Sequence, residues 1–343
     1  MKKFSVLFRC NAGYKQGYGH VSRCLSLAAA FRSLGADPIH FVLGSGETAD
    51  LVHTESYATL ILEDRDQDAA FLATAEKLKP DILVLDTRPP HALEVLRKLK
   101  NHVRCLTVID DVSEQCLAAD LVYLPPVPAV ERTDWSGFTG QKRIGLQWML
   151  TGCSFVPPPY RKPEPPLRLL MTMGGSDPLG YTQRLAPLFS NICREEGLLF
   201  GVVIGPGFLA REEQKAILSC LPGSPYIFDA PARMREVYDW CDAAVIPICV
   251  SAYELARSAK PALYICPDED CEEHAQVFIR EGFGEILPLG APEEDTEQRD
   301  NILYFLRSFE SWENMIVKAG AAFPGDPAMK IAEDILFFQE DVR

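Results

Sequence analysis

The sequence predicts a two-domain α/β chain, each domain built on a doubly wound parallel sheet. Three observations carry this. The chain has 343 residues, about twice a typical domain of ~150 residues. Both halves alternate short apolar runs with stretches of helical periodicity, the pattern of strands covered on both faces by helices. Between them prolines cluster, at Pro125-Pro126, Pro128, Pro157-Pro158-Pro159, Pro163 and Pro165-Pro166. Proline blocks ladder donors and helix interiors, so this stretch reads as connecting structure. The expected division is a first domain over 1–155, a linker over 156–166, a second domain over 167–325, and a last helix over 326–343 that packs back on the first domain.

In the first half, Phe4 to Phe8 is a strand. Val21, Cys24, Leu25, Ala28, Phe31 and Leu34 follow a helical period closed by Gly35. Pro38 to Leu43, Asp81 to Asp86 and Arg104 to Ile109 are further strands, with Ala92 to Leu99 helical. In the second half, Leu167 to Met173, Leu199 to Ile204, Ala243 to Ile248 and Ala262 to Cys266 are strands. A helix follows through Ala275, Phe278 and Ile279 and stops at Gly282. Ala328, Ile331, Ala332, Ile335 and Leu336 mark one face of the last helix.

Composition narrows the partners. Lys plus Arg is 34 and Asp plus Glu is 48, a formal charge of −14. Such a surface repels nucleic acid and anionic membranes, so any phosphate must be held by local amides. The eleven cysteines are scattered without a C-x-x-C pair, which fits reduced thiols in a cytoplasmic protein. No apolar run approaches ~18 residues, so no membrane insertion is expected. The histidines have no metal-ligand spacing, and no metal or other cofactor is expected.

Ligands of open parallel sheets bind at the carboxyl ends of the strands, and three such ends stand out. Gly17 and Gly19 lie in a glycine-rich loop before His20, at the start of the first helix. A neutral imidazole there can take a proton from water; equally, His20 can cap the helix or bond a loop carbonyl. Gly174, Gly175 and Ser176 follow a strand and suit a phosphate; they also suit a tight turn, with Ser176 or Asp177 as a helix cap and Pro178 at the first helical position. Ser251 and Glu254 offer helix-start amides and a carboxylate for ribose hydroxyls, and they also spell an S-x-x-E capping box. Asp86 and Asp110 end strands on the same edge as His20, where they orient it or bind sugar hydroxyls. Arg88 adds positive charge beside them.

Taken together, these stretches resemble a known family. Gly17-Tyr18-Gly19-His20-Val21-Ser22-Arg23-Cys24-Leu25-Ser26-Leu27-Ala28 is similar to the opening of the nucleotide-sugar hydrolases of pseudaminic acid biosynthesis, and of the spore-coat polysaccharide proteins of the SpsG type. Val108-Ile109-Asp110-Asp111, Gly174-Gly175-Ser176-Asp177-Pro178 and the segment ending in Glu254 resemble further motifs of that MurG-like group. The resemblance implies a GT-B fold, two Rossmann-like domains facing a cleft with the nucleotide on the second. It implies that His20 activates water against the anomeric carbon of a UDP-linked diacetamido-trideoxy sugar, releasing UDP without a metal. Two alternatives stand beside hydrolysis: a glycosyltransferase on the same fold, and a sugar-nucleotide-binding protein without turnover. The second is motivated by Pro247-Ile248-Cys249 and the acidic run Asp268 to Asp270.

Overall fold

The computed structural model describes residues 3–11, 13, 17–62, 66–152, 163–288 and 295–341. The chain divides into two compact units. Unit 1 comprises Met1–Ser154 with Gly325–Arg343, and unit 2 comprises Phe155–Pro324. Most of the expected linker, residues 156–162, lies outside the described residues.

Unit 1 holds β1 (Phe4–Cys10), α1 (Gly19–Ser33), β2 (Ala36–Leu43), α2 (Ala49–Thr54), β3 (Ala58–Ile61), α3 (Gln67–Leu78), β4 (Ile82–Asp86), α4 (Leu93–Lys100), β5 (Cys105–Ile109), β6 (Leu121–Leu124), α5 (Pro128–Arg132) and β7 (Gln141–Ile144). Its strands form a seven-stranded sheet in the order β3-β2-β1-β4-β5-β6-β7, every pairing parallel. The apolar runs explain the centre. All five residues of β4 and all five of β5 are buried, as strands covered by helices on both faces must be. The edge strand β7 reads Gln-Lys-Arg-Ile and is largely exposed.

Helix α1 presents Val21, Cys24, Leu27, Ala28 and Phe31 to the core at three- and four-residue steps. It ends at Leu34, and Gly35 turns the chain at φ +95°, a conformation glycine adopts without strain. The unit 1 core also takes in Ala328, Ile331, Ala332 and Ile335 of the last helix, α13 (Pro327–Asp341). Asp334 of that helix accepts hydrogen bonds from Tyr123 Oη at 2.7 Å and from Arg143 Nε at 2.8 Å. The last helix thus belongs to the first unit.

Unit 2 continues with β8 (Arg168–Thr172), α6 (Tyr181–Glu196), β9 (Leu199–Ile204), α7 (Arg211–Ser219), β10 (Tyr226–Asp229), α8 (Met234–Trp240), β11 (Ala243–Pro247), α9 (Val250–Arg257), β12 (Ala262–Cys266), α10 (Glu269–Glu281), β13 (Gly284–Pro288), α11 (Asp295–Arg307) and α12 (Phe309–Ala322); α13 spans Pro327–Asp341. Its six strands run β10-β9-β8-β11-β12-β13, again all parallel. Leu169, Met171, Val202, Ile204, Val245, Leu263 and Ile265 supply the core on one face of that sheet. No helix among the described residues is long and apolar enough to cross a membrane.

Candidate active site

The carboxyl edge of the unit 1 sheet carries a buried polar cluster. The chain leaves β1 into a loop in which Gly13 and Gly17 pair across both backbone hydrogen bonds, at 3.1 and 2.8 Å. Gly17 sits at φ +78°, which disfavours any residue with a Cβ. Tyr14, Lys15 and Gln16 lie outside the described residues. Gly19 opens α1 and His20 is its second residue.

His20 Nδ1 lies 2.6 Å from Asp86 Oδ1. Asp86 is the last residue of β4, and its side chain is 1% exposed. Arg23, one helical turn after His20, grips the same carboxylate: Nε donates to Oδ2 and Nη2 to Oδ1, both at 2.6 Å. The third nitrogen, Nη1, donates to Asp110 Oδ2 at 2.6 Å, just beyond β5. Cys24 Sγ adds a weak donor to Asp86 Oδ2 at 3.6 Å.

Burial alone would push the Asp86 carboxyl up; Arg23 and His20 outweigh it and hold the group well below the usual carboxylate range. Burial would likewise favour a neutral Arg23, and Asp86 with Asp110 reverse that, so Arg23 stays cationic. An ionised carboxylate only accepts. The 2.6 Å contact therefore requires a proton on His20 Nδ1, and in the neutral ring Nε2 carries the lone pair. The His20 side chain keeps 15% exposure. A neutral imidazole so held has the chemistry to accept a proton at Nε2.

Asp86 was expected either to orient His20 or to bind sugar hydroxyls. The structure surrounds this buried carboxylate with His20, Arg23 and Cys24. Asp110 is less buried, at 25% side-chain exposure. It adopts the left-handed region at φ +52°, strained for a non-glycine residue. Arg88 is exposed and donates from Nη2 to the Asp110 carbonyl at 3.3 Å. Arg23 and Cys24 stand in the sequence motif, but nothing in the sequence alone gives them a role. The available signal was helical: positions 20 and 23 share one face.

At the carboxyl edge of the unit 2 sheet, Gly174 takes φ +79° and Ser176 is buried. The Gly175 carbonyl accepts from Gly207 N at 2.8 Å. A Cβ on Gly205 would sit 2.3 Å from that same oxygen, so the two glycine loops touch backbone to backbone. The cap expectation needs two corrections. Helix α6 starts at Tyr181, not Pro178, and Asp177 caps it from outside, accepting from Tyr181 N at 2.9 Å and Thr182 N at 2.8 Å. The S-x-x-E box does not form. Helix α9 starts at Val250 after Cys249, which places Ser251 inside the helix. Glu254 instead accepts from Tyr238 Oη at 2.9 Å and is only 6% exposed. The physical reason is position: Ser251 lies past the N-cap Cys249, and Tyr238 on α8 meets the buried Glu254 carboxylate. Asp268 caps α10 by accepting from Cys271 N. No group of three or more His, Cys, Asp or Glu among the described residues is arranged to hold a metal.

Two α/β units, each on a parallel sheet of six or seven strands, place the chain in the GT-B fold class, and comparison with solved structures agrees. The spinosyn rhamnosyltransferase SpnG, complexed with thymidine diphosphate, superposes with a TM-score of 0.64 at 15% identity, over 95% of this chain and 99% of that one. The calicheamicin glycosyltransferase CalG4 gives 0.64 at 16% identity, over all of both chains. MurG of Acinetobacter baumannii gives 0.65 at 12% identity, over 97% and 99%. At such identities the likeness is one of fold. No protein-family model matches the chain, and neither does any curated protein.

Proposed function

We propose that this chain transfers a glycosyl group from a nucleotide-diphosphate sugar to an acceptor hydroxyl, with His20 as the base. The observation that carries the reading is the His20–Asp86 hydrogen bond, which leaves Nε2 as the acceptor nitrogen. In the step, the acceptor O–H bond breaks and its proton passes to Nε2. The acceptor oxygen bonds the anomeric carbon, and the bond from that carbon to the diphosphate breaks, its electron pair leaving with the nucleotide. Asp86 steadies the imidazolium that forms. Diphosphate is a good leaving group, so one base suffices. The sugar side is assigned to Gly17, Gly19, Arg88 and Asp110, with Asp86 acting through His20. The nucleotide is assigned to Gly174, Gly175, Ser176, Ser251 and Glu254. Solved structures of like fold are glycosyltransferases, one of them holding thymidine diphosphate, which supports a hydroxyl acceptor.

A second reading is favoured by a specific observation. The stretch Gly17 to Ala28 resembles the hydrolases of pseudaminic acid biosynthesis, in which water replaces the acceptor and a UDP-linked diacetamido-trideoxy sugar is cleaved. The test is nucleotide release from a panel of UDP- and TDP-sugars, with and without added sugar or aglycone acceptors. Release that depends on acceptor is the expected result; free sugar formed at the same rate without acceptor supports hydrolysis. Binding without release would leave a sugar-nucleotide-binding protein. His20→Ala should lose ~10²–10⁴-fold in rate, and full turnover by that variant overturns both catalytic readings.

A further inference from the structure

We propose that Arg23 is a positioning residue: anchored on Asp86 and Asp110, it fixes the carboxylate that sets the tautomer of His20. The inference deepens the glycosyl-transfer reading and rests on it.

A carboxylate at a strand end can rotate about its last bond, and rotation would move Oδ1 away from His20. Arg23 removes that freedom. Its planar fork meets both oxygens of Asp86 at 2.6 Å, fixing the plane of the carboxylate as well as its distance. The fork is itself held at a third point, by Asp110 at 2.6 Å. Arg23 therefore ties the ends of β4 and β5 to the first turn of α1, which carries His20. A guanidinium 2% exposed and a carboxylate 1% exposed gain little as a plain stabilising pair, since desolvation offsets their attraction. What the pair supplies is geometry. Arg23 Nη2 also stands 3.2 Å from His20 Nδ1. A guanidinium nitrogen cannot accept, so of these two neighbours the one that can take Nδ1–H is the Asp86 oxygen that Arg23 holds. Lysine has a single nitrogen and no fork, and it cannot reproduce the two-point grip.

The test is histidine-selective ¹⁵N NMR on the full chain, with the His20 signals identified by their loss in His20→Ala. The parent should show His20 only as the Nδ1–H tautomer. In Arg23→Lys it should become a mixture with Nε2–H. For that variant kcat should fall roughly ten- to a hundredfold at unchanged KM for the donor, short of the ~10⁴-fold that a wholly wrong tautomer costs in a Ser-His-Asp triad. Asp110→Asn removes one anchor and leaves the ion pair, so it gives a readout even where the lysine variant does not fold: a measurable Nε2–H population. A His20 that stays wholly Nδ1–H in either folded variant overturns the role of Arg23. The spectrum needs no substrate, so failure of the glycosyl-transfer reading shows separately, as full turnover by His20→Ala.

Discussion

Tyr238 donates its hydroxyl proton to Glu254 at 2.9 Å, and both side chains are withdrawn from solvent. The bond links α8 to α9 inside unit 2. Hydrogen bonds to buried charged groups contribute about 1.5–3 kcal/mol. Tyr238→Phe keeps the ring and removes the donor, so it should lower stability by about that amount, read as a drop in the urea midpoint. An unchanged midpoint would show that the bond contributes nothing.

Gly205 should not tolerate a methyl group. Its Cβ would meet the backbone oxygen of Gly175 at 2.3 Å, and backbone cannot swing aside as a flexible side chain does. Gly205→Ala should cost about 1–3 kcal/mol by overpacking and shift the amide resonances of Gly174, Gly175 and Gly207. Heteronuclear NMR checks both the site and the range of the disturbance; unperturbed resonances at those glycines would refute the contact.

Asp86→Asn strips Arg23 of its buried partner. Breaking such a pair from one side costs about 3–5 kcal/mol near neutral pH. The acid limb of the stability curve should change as well. The folded-state pKa of Asp86 lies below its unfolded value, near ~3.9. Its stabilisation is therefore present above that pH and lost as pH falls toward the folded value, because the unfolded chain binds the proton first. Thermal midpoints followed down from neutral pH should fall less steeply below about pH 5 in Asp86→Asn than in the parent.

His91 gives a second, separate pH effect. It is buried in unit 1 against Phe71, with ring centroids 4.8 Å apart, and its Nδ1 lies 2.5 Å from Asp68 Oδ1. Burial pushes the imidazole down, and the Asp68 hydrogen bond recovers only part of that. As pH drops below about 6.5 the unfolded chain takes up a proton that folded His91 refuses, so stability declines. His91→Gln should remove that decline, measured as the difference in urea midpoint between about pH 7.5 and about pH 5.5.

Much of this architecture was legible in the sequence, and its gaps have physical causes. β4 and β5 announce themselves because strands buried on both faces need unbroken apolar runs. The edge strands β3, β7 and β10 do not, because a half-exposed strand of four residues carries too little pattern. At the site, His20, Asp86 and Asp110 could be found from their places at helix start and strand ends. Arg23 could not be assigned a role, since an arginine on a helix reads as surface unless a partner in another element takes it inside. Ser251 and Glu254 show the opposite failure: a local signature of capping gave way to Tyr238, sixteen positions before Glu254, whose nearness only the folded unit creates.

The membership of α13 in the first unit bears on how the protein is made. Some 170 residues of unit 2 separate Ser154 from Gly325. At about 5–20 residues per second, the ribosome needs roughly 10–30 s to deliver the helix after the rest of unit 1 has emerged. Through that interval the surface that will receive Ile331 and Ile335 is open to water, while the strands of unit 2 are still being made. Nascent chains should therefore hold the first unit's interior unfinished until α13 arrives, with chaperone capture favoured on the earlier-made half.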